Sequence, residues 1–180
     1  IVKRFYLLVG ITALAGLVAL GATSTDGMIR RLGTRRWQTL HNLVHPIMLL
    51  ALLHFALQSK IDVTQPALMI GLFALLIVYR GLDRLKVAPT TPVLVAAALA
   101  TGLATALCET AWYAFATGAS AWLVFQANAD VVVYQDLAAL RPGHWVALAG
   151  LAVALCGAFR RRGNRPERRG RAGTPAGAVS

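Results

Sequence analysis

Five apolar runs divide this chain, and each is long enough, or nearly so, to cross a bilayer as a helix. A backbone in hydrocarbon must satisfy its own hydrogen bonds, which leaves only helices and closed barrels. Runs of this length, without alternation of apolar and polar residues, read as helices. They are Phe5 to Ala22, Trp37 to Leu57, Pro66 to Tyr79, Pro92 to Phe115 and His144 to Phe159. The third and fifth are short and need their ends near the interface. The predicted class is all-α, a polytopic transmembrane helix bundle of about five spans. Residues 1–159 are expected to form the transmembrane domain. Residues 160–180, rich in Arg, Gly and Pro, read as a disordered basic tail.

Charge is sparse and unevenly placed. Only 14% of residues are charged, against about 25% in a typical soluble domain. Eighteen Lys and Arg face seven Asp and Glu, a net charge of +11. A basic balance of this size invites nucleic acid as a partner, but that needs a basic surface on a folded domain. Here the basic residues cluster between and after the apolar runs, so no nucleic-acid binding is predicted. The connection after span one carries Arg30, Arg31, Arg35 and Arg36, and that after span three Arg80, Arg84 and Lys86. The tail carries Arg160, Arg161 and Arg162 with four further Arg. The connections after spans two and four have Lys60 and Arg141 alone among basic residues. This alternation predicts cytoplasmic basic loops and a cytoplasmic tail; in a bacterium the opposite side would be the periplasm. Lys3 and Arg4 run against it. Cys108 and Cys156 lie inside apolar runs without metal spacing and read as small buried hydrophobes.

Between the first two spans, Thr23-Ser24-Thr25-Asp26-Gly27 offers capping side chains. A short interfacial helix through Met28 to Leu32 is expected to end at Gly33, with Thr34 capping the next helix.

The second span carries the chemistry. His41 and His54 bracket its apolar run. Ionisable groups in such a run are costly and usually functional, and imidazole is the common protein ligand for heme iron. Thirteen residues of helix rise roughly 20 Å, which places one histidine near each face of the hydrocarbon. The alternative is a pair of interfacial or helix–helix hydrogen-bonding histidines. On a straight helix the two side chains stand about 140° apart and do not share a face. Pro46 lies between them and removes a backbone donor, so it can kink or rewind the helix. His45, one turn beyond His41, is expected on the same face, as an alternative ligand or a group orienting one. His144, beside Trp145, reads as an interface anchor. Glu109 lies inside span four as a candidate for proton or quinone chemistry. Trp112 and Tyr113 follow it, so its carboxylate is expected to reach water. No phosphate loop or nucleophile elbow is present.

The stretch Thr23-Ser24-Thr25-Asp26-Gly27-Met28-Ile29-Arg30-Arg31-Leu32-Gly33, then Arg36-Trp37-Gln38-Thr39-Leu40-His41 and finally His54, resembles the MsrQ family. These are membrane subunits of periplasmic methionine-sulfoxide reductase systems, within the ferric-reductase-like transmembrane group. The resemblance covers roughly residues 3–86. It implies an inner-membrane heme b protein, also associated with FMN. Such a protein takes electrons from the quinone pool and passes them to a periplasmic molybdopterin enzyme that repairs oxidised methionine. It also implies that His41 and His54 are axial ligands of heme iron. Arg35 and Arg36 are then expected to meet heme propionates or lipid phosphate. Position 45, usually aromatic in the family, is His here. Ile1 falls near the family's fourth span, so earlier spans with a partner histidine are expected upstream. Residues 90–159 extend beyond the shortest members. The rival reading is a non-redox membrane anchor or a small transporter subunit.

Overall fold

A computed structural model describes residues 2–59, 62–129 and 140–163. The described residues form eight helices in order: α1 (Val2–Ala22), α2 (Asp26–Leu32), α3 (Thr34–His41), α4 (Val44–Gln58), α5 (Thr64–Arg84), α6 (Thr91–Thr117), α7 (Ala121–Ala129) and α8 (Pro142–Gly163). Among the described residues there is no strand. Five segments are long and apolar enough to cross a membrane: Arg4–Ala22, Thr34–Gln58, Thr64–Arg84, Thr91–Thr117 and Pro142–Arg160. The all-α bundle of five spans is therefore as the sequence implied. The two short spans are longer than expected, because polar ends such as Thr64 and Arg84 continue their helices past the apolar stretch. The fifth runs on to Gly163, into the segment assigned to the tail. The rest of that tail lies outside the described residues.

Local chemistry sets the helix ends. Thr25 adopts an extended backbone and its hydroxyl accepts from the Met28 N–H, capping α2. Gly33, at φ 75°, closes α2, with its N–H bonded to the Ile29 carbonyl. Gly33 and not Thr34 precedes α3, and no side chain caps that helix. Pro92 stands in the first turn of α6, where its missing N–H costs nothing. Gly118, in the left-handed region at φ 70°, ends that helix. The short helix α7 follows it, in a segment the sequence reading left without structure.

Consecutive spans pack antiparallel. Gly10 of α1 faces His54 while Thr23, at the other end, meets His41. Gly102 of α6 faces Gly143 of α8, and Ala98 faces Gly150. This last seam is built of small residues: Ala98, Gly102 and Ala106 against Gly143, Ala147 and Gly150. A Cβ added to Gly102 would sit 2.8 Å from the Gly143 carbonyl oxygen. Lipid gives no hydrophobic drive for helices to associate, so close backbone approach of this kind holds them. The bundle thus comprises α1 packed on α4 and a cluster of α5, α6 and α8, with a thinner junction between α4 and α5. Large apolar side chains such as Leu8, Ile11, Leu103 and Leu155 point outward, as a lipid-facing surface requires. Cys108 and Cys156 are on that outer surface, not in the core. A thiol is apolar enough for either place.

The candidate cofactor helix and a buried ion pair

The break between α3 and α4 falls at Asn42 and Leu43. Pro46 explains it. Proline has no N–H for the carbonyl four residues back, and its ring crowds that carbonyl. The carbonyl is that of Asn42, and it is taken instead by His45, through its N–H at 3.3 Å and its ring Nδ1 at 3.0 Å. Leu43 N–H likewise reaches only three residues back, to Leu40. Asn42 (φ −64°, ψ −18°) and Leu43 (φ −64°, ψ −12°) are close to 3₁₀ geometry.

This short tight turn rewinds the span. Each 3₁₀ residue advances about 120° instead of 100°. Three or four such residues cut the offset between His41 and His54 from about 140° to roughly 60–80°. Both then reach α1. His54 Nδ1 lies 2.8 Å from the Tyr6 carbonyl, which can only accept, so the proton is on Nδ1 and Nε2 keeps its lone pair. The ring lies flat on Gly10, where an added Cβ would come within 2.7 Å of it. It also stacks on Tyr6. His41 stacks on Trp37 at 4.1 Å between ring centroids. Its Nε2 is 3.3 Å from Thr23 Oγ1, whose single proton goes to the Ala19 carbonyl at 2.9 Å. The hydroxyl therefore accepts, and His41 carries its proton on Nε2. Trp37 Nε1 donates to the Thr23 carbonyl at 2.9 Å, so one residue just past the end of α1 anchors both rings.

His45 departs from expectation. The rewinding carries it away from His41, and its ring borders a cavity of about 470 Å³ with Ile77, Arg80 and Arg84 of α5. Arg35 and Arg36 lie along an open groove of α3 with Thr39, Leu40 and Leu43. Among the described residues no three His, Cys, Asp or Glu side chains converge to hold a metal ion. One or two axial imidazoles need no such cluster.

At the other end of the bundle Glu109 is fully buried, contrary to the expectation that it reaches water. Its Oε1 accepts from Arg141 Nη2 at 2.7 Å. Arg141 also stands over the Tyr113 ring. Tyr113 in turn donates its O–H toward Asp62 Oδ1 at 3.4 Å. The Thr64 hydroxyl and N–H hold the Asp62 carboxyl below the usual carboxylate range. His144 accepts the Arg141 N–H on its Nδ1 and so shapes the start of α8. The pairing had a sequence signal. Glu109 is the lone acid inside a span, and Arg141 the lone arginine of the segment that follows it.

Known proteins give a partial match. A heme-binding subunit MsrQ of protein-methionine-sulfoxide reductase from Rhodospirillum rubrum is 49% identical over 80 residues, 44% of this chain and 38% of that protein. The MsrQ of Xanthomonas campestris pv. campestris is 50% identical over 91 residues, 51% of this chain and 41% of its own length. That of Xanthomonas euvesicatoria pv. vesicatoria is 45% identical over 91 residues, again 51% and 41%. The chain thus spans about two fifths of the length of these curated relatives. No family model matches the chain, and no solved structure matches it. About half of this chain is MsrQ-like in sequence, a stretch similar in length to residues 3–86.

Proposed function

We propose that this chain is part of a heme-binding, electron-transferring membrane subunit of the MsrQ kind, with His41 and His54 as iron ligands. The observation that carries the reading is the rewound second span, which presents both histidines toward α1 near its opposite ends. His54 fits a ligand best. Its Nδ1–H is tied to the Tyr6 carbonyl, which fixes the ring and raises the basicity of Nε2, as partners of ligating histidines do. His41 would fit by carrying its proton on Nδ1 instead and giving up the Thr23 hydrogen bond, which leaves Nε2 to hold iron. Bound heme supplies the one-electron carrier, and the chain supplies ligands, a dry low-dielectric surround and fixed ring orientations.

The finer reading rests on the family resemblance. Electrons come from the quinone pool and go to a periplasmic molybdopterin-dependent methionine-sulfoxide reductase, for repair of oxidised periplasmic proteins. FMN is a second expected cofactor, with no residues assigned here. The basic connections face the cytoplasm of a bacterial inner membrane, so His41 lies toward the cytoplasm and His54 toward the periplasm. Arg35 and Arg36 are placed for heme propionates or lipid phosphates.

The test is the visible spectrum of the purified full-length protein. Dithionite should produce b-type Soret and α bands. His41→Ala and His54→Ala should each lower the heme-to-protein ratio severalfold. A colourless full-length protein would favour the anchor or transporter reading. Unchanged spectra in both variants would move the ligands elsewhere.

A further inference from the structure

The rewound span meets α5 on the side away from α1. Asn42 and His45, at the break between α3 and α4, border a cavity of about 470 Å³ with Ile77, Arg80, Gly81 and Arg84. These four residues of α5 recur at helical spacing and form one face. Ile77 is on the lipid-facing surface, and Arg80 and Arg84 follow where the apolar stretch ends. The cavity therefore sits at the boundary of hydrocarbon and headgroups, at the basic end of the bundle. Its charge is of one sign. Among the described residues the one ion pair is Glu109–Arg141, so neither guanidinium has a carboxylate partner. Asp83, the acid between them in sequence, pairs with neither and does not border the cavity. His45 adds an acceptor. Its Nδ1 donates to the Asn42 carbonyl at 3.0 Å, so the neutral ring keeps a lone pair on Nε2, with no partner among the described residues.

We infer that this cavity seats the headgroup of an anionic glycerophospholipid whose head is itself a polyol, with the phosphate on Arg80 and Arg84 and a head hydroxyl donating to His45 Nε2. Each property follows from the walls. Two unpaired guanidinium groups fit phosphate oxygens through their forked N–H donors. The volume falls in the roughly 300–1,000 Å³ range of small-molecule sites, so a glycerol has room beside the phosphate. The lone pair on Nε2 asks for a donor. An ammonium head supplies one but brings a third positive charge beside two arginines, and a hydroxyl does not. Ile77 gives an apolar wall next to the arginines for the roots of the acyl chains, which a free phosphate ester lacks. Basic pockets between membrane helices hold lipid heads in this way. The bound head bridges α4 and α5, where the junction is thinner. His45 is turned away from His41, so the site stands apart from the heme reading.

Two lipids that carry the same charge and differ in the head hydroxyls test it: phosphatidylglycerol and phosphatidylethanol. Native mass spectrometry of the full chain in detergent, titrated with each, reads the dissociation constant of the first lipid retained. Phosphatidylglycerol should bind about fivefold more tightly than phosphatidylethanol, the effect of one added hydrogen bond. Phosphatidylethanol should in turn bind more tightly than phosphatidylcholine. His45→Phe should abolish the first preference and keep the second. Arg84→Gln should weaken both anionic lipids severalfold. Gly81→Phe separates the cavity from loose surface charge. A Cβ at Gly81 meets no atom within 4 Å, so the ring can fill the cavity with every charge in place, and the fivefold preference should disappear. Equal binding of phosphatidylglycerol and phosphatidylethanol by the native chain overturns the proposal. So does a preference that survives His45→Phe or Gly81→Phe, or anionic-lipid binding unchanged in Arg84→Gln. Displacement of phosphatidylglycerol by an equimolar amount of soluble glycerol 1-phosphate would assign the cavity to a free phosphate ester and overturn the lipid.

Discussion

Pro46 settles where three histidines point, through one missing N–H. The freed Asn42 carbonyl draws in His45, the turn tightens, and His54 swings onto α1. The spacing of His41 and His54 was legible in the sequence, and so was the conflict with a straight helix. Pro46 names the freed carbonyl, but that the response is a tight turn and not a bend depends on what else bonds to Asn42. That information is not in the periodicity. For the same reason His45 was expected beside His41. On a regular helix four residues give about 40° of separation, and in a 3₁₀ turn about 120°. Pro46→Ala should restore the amide to the Asn42 carbonyl. Intrinsic helix propensity then improves by up to about 3 kcal/mol. The His54–Tyr6 hydrogen bond, worth about 1 kcal/mol, should weaken as the span relaxes. Histidine-selective ¹⁵N NMR in micelles reads this directly. The native chain should show protonated Nδ1 at His45 and His54, and the variant should lose the first and shift the second. Two unchanged Nδ1–H signals would mean that Pro46 does not set the winding.

At the scale of elements, the seam between α6 and α8 replaces hydrophobic burial with backbone proximity. Its residues recur at helical spacing, Ala98, Gly102 and Ala106 opposite Gly143, Ala147 and Gly150. That pattern was readable in the two apolar runs, but Ala-rich membrane sequence contains many such spacings, and only packing shows which pair is used. Helix α7 was harder still. At nine residues it lacks the length that announces a helix, although Ser120 precedes it, and it packs on α6. Two glycine substitutions separate packing from propensity. Gly143→Leu puts a Cβ 2.8 Å from the Gly102 carbonyl oxygen, which belongs to a helix backbone and cannot yield cheaply. Overpacking of this kind should destabilise the bundle by about 1–3 kcal/mol. Gly21 has nothing within 4 Å of an added Cβ. Gly21→Ala should therefore be neutral or stabilise α1 by about 0.5–1 kcal/mol. Unfolding in mixed micelles at increasing SDS fraction should rank Gly143→Leu below the native chain and Gly21→Ala level with or above it. The opposite ranking would remove the seam from the account of stability.

Over the whole molecule, the antiparallel order separates two chemistries by membrane face. His41, the Arg30–Arg36 cluster and the Arg80–Arg84 end of α5 share one end, while His54, Asp62, Glu109 and Arg141 share the other. The span count was legible because hydropathy and charge alternation agree on it. The Glu109–Arg141 contact was signalled only by the lone acid and the lone arginine, since it joins residues 32 apart and periodicity does not specify how they meet. The segregation makes orientation testable without any cofactor. Charge placement assigns the arginine-rich end to the cytoplasm. Gly27, in α2, and Ser120, between α6 and α7, are exposed at opposite ends of the bundle and carry no charge. With Cys108 and Cys156 replaced by Ser, Ser120→Cys should react with a membrane-impermeant maleimide once the outer membrane is opened. Gly27→Cys should react only after the inner membrane is permeabilised, with several times less label before it. The reverse pattern would put His54 and the ion pair on the cytoplasmic side. Under the proposed function, electrons would then leave past His41, whose Nε2 holds Thr23, and not past His54, whose Nδ1 is the atom tied to Tyr6. The labelling result therefore decides which of the two imidazoles stands at the outer face.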